Sequence, residues 1–67
     1  MNASFYTRNN TYLGSVNLSV MLKPGFKLSY RNQQYVVLAV YQLPEQMNTK
    51  AYNVILDPVA TQWEIVK

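Results

Sequence analysis

Phe26 to Gln42 reads FKLSY-RNQQ-YVVLAVYQ: a short alternating segment, a polar turn and a longer apolar segment. This is the pattern of a β-hairpin. With Arg31 to Gln34 as the turn, Tyr30 faces Tyr35, Leu28 faces Val37 and Phe26 faces Ala39, so one face is apolar and aromatic throughout. The other face carries Lys27, Ser29 and Arg31 on the first strand but Val36, Leu38 and Val40 on the second. A strand apolar on both faces is usually central and covered twice. Tyr35 to Tyr41 is therefore expected in the middle of the fold. The strand Thr11–Leu22 folding across it, or a second subunit, would be its cover.

The remaining chain is also punctuated for strands. Ser4 to Thr7 alternates weakly, and Arg8-Asn9-Asn10 is a turn, because asparagine tolerates the left-handed region and bonds its own backbone. From Thr11 to Leu22, Gly14, Val16, Leu18, Val20 and Leu22 fall on one side, and Ser15, Asn17, Ser19 and Met21 on the other. That is a strand with one buried and one wetted face, and Gly14 marks a bulge or a close backbone approach. Lys23-Pro24-Gly25 suits a type II turn. Leu43 to Ala51 is a loop, or one helical turn opened by Pro44. Tyr52 to Leu56 is a strand with Tyr52, Val54 and Leu56 on one face, and Asp57-Pro58 closes it. Pro58 to Gln62 is a second connection, and Trp63 to Val66 is the last strand, with Trp63 in the core.

These readings give an all-β chain, a small antiparallel barrel of five to six strands or a strongly bent meander. It forms one domain over residues 1–67: an amino-terminal hairpin over 1–22, the central hairpin over 26–42 and carboxy-terminal strands over 52–67. The run Leu22-x-Pro24-Gly25-x-x-Leu28-x-Tyr30, followed by Tyr35-x-Val37-x-x-Val40, resembles the opening of SH3-like barrels. In those, a Pro-Gly turn leads into a strand, a tight hairpin and a core strand. The resemblance covers about 20 residues and implies architecture only. The acidic loop and paired tryptophans with which signalling SH3 domains grip proline-rich ligands are missing from this sequence.

Composition narrows the chemistry. A chain of 67 residues buries a small core, and such domains usually draw on disulfides, metals or oligomerisation. There is no cysteine and no histidine, so a disulfide framework and the ordinary zinc, haem and iron–sulfur sites are excluded, and no cofactor is expected. A homodimer is the remaining aid. The start, MNASFYTRNN, lacks the pattern of a signal peptide. The apolar run Tyr35–Leu43 is far short of the ~20 residues that span a bilayer. A cytoplasmic protein without a membrane partner is expected. The Asn-x-Ser/Thr triplets at Asn2, Asn9 and Asn17 are chance matches in a chain rich in those residues.

An enzyme is not expected. General acid–base work needs a positioned histidine or carboxylate. The carboxylates are Glu45, Asp57 and Glu64, of which Asp57 reads as a turn former. Gly14 and Gly25 stand alone and make no phosphate-binding loop. Six tyrosines and a net charge of +3 point instead to a binding surface. Tyr6, Tyr30 and Tyr35 with Arg8, Lys27 and Arg31 form the candidate set for nucleic acid, bases stacking on the rings and phosphates meeting the cations. Against it, Tyr30 and Tyr35 also read as a cross-strand pair that merely stabilises the hairpin. Two functions follow: a small non-enzymatic module that binds nucleic acid, or a self-associating structural or protein–protein adaptor, for instance of a phage or mobile element.

Overall fold

The computed structural model describes residues 2–45, 47 and 50–59. It is all-β: β1 (Asn2–Thr7), β2 (Tyr12–Asn17), β3 (Lys27–Tyr30), β4 (Gln33–Gln42) and β5 (Ala51–Pro58). They form one curled sheet in the order β2-β1-β5-β4-β3. No helix occurs among the described residues. Trp63, the strand expected at 63–66 and most of the connection at 58–62 lie outside them.

The central hairpin forms with a tighter turn than the sequence reading assumed. Tyr30 pairs with Gln33, Leu28 with Tyr35 and Lys27 with Val36. Arg31 and Asn32 alone make the turn, at φ of 52° and 65°. Two left-handed residues are what a two-residue hairpin loop requires, because its twist then matches that of the strands. The slip from the expected register is two residues. Side chains alternate with period two, so such a slip leaves every residue on its expected face. Left-handed backbone is unfavourable for any residue with a Cβ, so Asn32→Gly should raise stability by about 0.5–1 kcal/mol, read as a higher urea midpoint at unchanged slope.

The middle strand is β5, which corrects the expectation for Tyr35–Tyr41. β5 pairs antiparallel with β4 and parallel with β1. Val54 and Leu56 are fully buried on its inner face, as the alternation Tyr52, Val54, Leu56 predicts. A parallel pair needs a long crossover; here the chain between β1 and β5 supplies it. β4 lies one strand from the edge. Thr11–Leu22 does not cover its outer face: β2 ends at Asn17 and forms the far edge of the sheet, and Leu22 joins the core on the inner side. The turn Lys23–Phe26 docks on β4 instead. Phe26 N–H donates to the Lys23 carbonyl at 3.1 Å, Gly25 N–H to the Val37 carbonyl and Val37 N–H to the Phe26 carbonyl, both at 2.8 Å. Gly25 has φ +93°, as the third residue of a type II turn must.

The sheet curls into a half-barrel. β1 and β3 are three ladder spacings apart, about 14 Å across a flat sheet at ~4.8 Å each. Yet the Phe5 and Tyr30 rings meet edge-to-face with centroids 5.1 Å apart. The edges approach more closely still at Gly14 on β2. A Cβ there would collide with the Tyr30 hydroxyl and lie 3.2 Å from its Cζ. Gly14 also sits at a bulge, because Phe5 pairs with Gly14 while Tyr6 pairs with Tyr12, leaving Leu13 extra. Both roles read from this glycine are therefore present. The concave core holds Ala3, Phe5, Leu22, Tyr35, Val37, Tyr52, Val54 and Leu56, with Leu13, Val16, Leu18, Leu28, Tyr30 and Val40 packed against it. Each fully buried large side chain contributes about 1.5–3 kcal/mol.

A second bulge redirects β4. Val37 pairs with Leu56 but Ala39 with Ile55, so Leu38 is extra. Before it, Tyr35 and Val37 face the core; after it, Val40 does, and Ala39 and Tyr41 turn outward. Val40 thus leaves the expected set Val36, Leu38 and Val40, and Ala39 joins it. Leu38 is 42% exposed and Tyr41 59%.

Candidate functional site

The convex face is set out in rows by the strand registers. One row runs Ala39, Ile55, Tyr6, Tyr12 across β4, β5, β1 and β2. Leu38 bulges out beside its first member. The row is apolar at one end and aromatic at the other, where the Tyr6 and Tyr12 rings lie 5.4 Å apart at 58°. Tyr6 is half-buried by this contact, and Tyr12 stays 55% exposed.

The neighbouring row is Tyr41, Asn53, Ser4, Ser15. Its hydroxyls are linked: Ser4 Oγ lies 3.2 Å from Ser15 Oγ, and the Tyr12 hydroxyl 2.6 Å from Ser15 Oγ. That bond ties down the tip of the exposed Tyr12 and presents its ring along the sheet. On the other side of the aromatic row stand Lys27, Val36 and Asp57, in register across β3, β4 and β5. Arg8 completes this border, its Nη1 lying 3.7 Å from Asp57 Oδ2. The Arg8 side chain is 66% exposed, so the pair is a surface contact worth less than about 1 kcal/mol.

Arg8 is held in place by the β1–β2 turn. Thr7 Oγ1 accepts from the Asn9 and Thr11 N–H groups at 3.3 and 3.2 Å, and Asn10 takes a left-handed φ of 66°. An open cleft at this corner is lined by Thr7, Arg8, Asn9, Thr11, Asp57 and Pro58.

The candidate residues named from sequence divide into three places. Tyr6, Arg8 and Lys27 share the convex face. Tyr30 and Arg31 lie at the seam, with the Arg31 guanidinium 5.3 Å from the centre of the Tyr30 ring while that ring packs on Phe5. Tyr35 is in the core at 8% exposure, paired with Leu28 rather than Tyr30. A ring so placed offers no face for stacking. Tyr12 and Tyr41 were not among the candidates, yet they are the two most exposed rings on the convex face. Tyr12 had a signal in the sequence, since a turn at 8–10 sets it close to Tyr6. Tyr41 had none, because unbroken alternation from Val37 directs it inward and only the bulge at Leu38 turns it out.

No group of three or more acidic, histidine or cysteine residues able to hold a metal ion occurs among the described residues. No helix long and apolar enough to cross a membrane occurs among the described residues. No family model matches the chain, and no curated protein or solved structure matches it.

Proposed function

We propose that this chain is a small non-enzymatic binding module whose convex face takes single-stranded nucleic acid. The observation that carries this reading is the placement of Tyr6, Tyr12 and Tyr41 in adjacent rows of one sheet face, bordered by Arg8 and Lys27. Rings on a sheet give flat stacking platforms, and each stacked base contributes about 1–3 kcal/mol. The cations lie along one border, where a backbone following the aromatic row would pass. The cleft beside Arg8 is the natural seat for a phosphate. The half-barrel, with its Pro24-Gly25 turn leading into the β3–β4 hairpin, also supports reading the architecture as SH3-like.

The test is fluorescence anisotropy with a labelled mixed-sequence single strand over a salt series. Two phosphate contacts at about −0.7 each give a slope of log K against log salt near −1.4. Arg8→Glu should lower affinity about tenfold at low salt, because a phosphate contact is lost and a like charge is introduced. Affinity independent of salt, or unchanged by Arg8→Glu, would reject the reading. A second reading, contact with another protein, is favoured by the apolar end of the same row, where Leu38 stands 42% exposed beside Ala39 and Ile55. It predicts binding that responds to Leu38→Ser and is indifferent to salt.

A further inference from the structure

The two edges of the sheet are built differently. β3 is four residues long, contains Lys27 and is flanked by Lys23, Pro24 and Arg31. Short length, cations and proline are the usual protection of an edge against pairing with another chain. β2 has none of these. It is six residues long, and from Thr11 to Leu22 the chain holds no charged residue and no proline. Tyr12 to Asn17 pair with β1 on one side and, among the described residues, with no strand on the other. Tyr12, Val20 and Met21, each more than half exposed, fall within this same run.

We propose that β2 is a self-association edge, at which a second copy of this chain adds its own β2 antiparallel. This goes beyond the nucleic-acid reading and does not depend on it. A second copy is the occupant because the edge is uncharged: two chains of net charge +3 can meet there without apposing like charges. A two-fold axis at Val16 sets Ser15 opposite the partner's Asn17, an exposed hydroxyl against an exposed amide. Such a contact is closed, so it yields a dimer and not a fibre. The bulge at Leu13-Gly14 confines the ladder to the stretch centred on Val16, which limits the interface and makes the dimer reversible. The axis stands perpendicular to the sheet, so the convex faces of both copies point the same way.

The experiment is sedimentation equilibrium of the full chain without nucleic acid, from 10 to about 500 μM, beside Asn17→Lys and Asn17→Asp. The wild type should move from 7.8 kDa towards twice that mass as concentration rises. Both variants should remain at 7.8 kDa with unchanged far-UV circular dichroism, because Asn17 is exposed and a charge there lies diagonally across the axis from its own copy, within reach of like-charge repulsion. A wild type that stays monomeric throughout overturns the proposal. So does a dimer that survives both substitutions. If either variant fails to fold, amide exchange in the wild type decides, since protection of β2 must rise with protein concentration.

Discussion

Phe5→Ala is expected to unfold most of the chain. Phe5 is 2% exposed and is the largest of the fully buried side chains. Its ring also makes the edge-to-face contact with Tyr30 that joins β1 to β3 across the concave side. Truncating a buried phenylalanine costs about 3–5 kcal/mol. At about 0.05–0.15 kcal/mol per residue, a domain of this length has only ~3–10 kcal/mol in all. Loss of amide dispersion, or a urea midpoint near zero, is the expected result. Tyr12→Ala, which removes an exposed ring, should cost less than about 1.5 kcal/mol, mainly the hydroxyl bond to Ser15. If Phe5→Ala proved as mild as Tyr12→Ala, the core would not lie where the curl of the sheet places it.

Gly14→Ala is the second large effect, and it tests the closure of the half-barrel. The added methyl meets the Tyr30 hydroxyl, with Arg31 Nη2 3.7 Å away, so the ring must move. Overpacking of this kind costs about 1–3 kcal/mol. Removing the hydroxyl with Tyr30→Phe should relieve part of that cost, although Cζ, at 3.2 Å from the Cβ position, still presses on it. The φ of +155° at Gly14 adds a penalty common to both backgrounds, so the double-mutant cycle isolates the contact. A coupling of about 0.5 kcal/mol or more is expected. Additive costs would mean that β2 and β3 do not approach.

Local pattern was enough to find the five strands β1 to β5, though not their ends or their long-range pairing. The alternation at Tyr52–Leu56, the type II turn at Pro24-Gly25 and the special position of Gly14 all follow from rules that act over a few residues. The hairpin turn was misjudged by two residues, because polar Gln33 and Gln34 look like loop while their backbone pairs with β3. What no local rule supplies is the parallel union of β1 with β5, which joins segments about 50 residues apart and makes β5 the middle strand. Bulges are equally silent. The one at Leu38 sends Tyr41 outward, and without it the convex face would lack one of its rings. The candidate surface was therefore half legible: Tyr6, Arg8 and Lys27 lie on the convex face, whereas Tyr30 packs at the seam and Tyr35 in the core.

The most direct measurement is an amide chemical-shift titration of the labelled chain with mixed-sequence single-stranded DNA and RNA, at low and moderate salt. Shifts are expected at Tyr6, Arg8, Tyr12, Lys27 and Tyr41 that weaken as salt rises, with Tyr35 and the inner residues of β5 still. A silent spectrum, or shifts confined to the seam at Tyr30 and Arg31, would contradict the nucleic-acid reading.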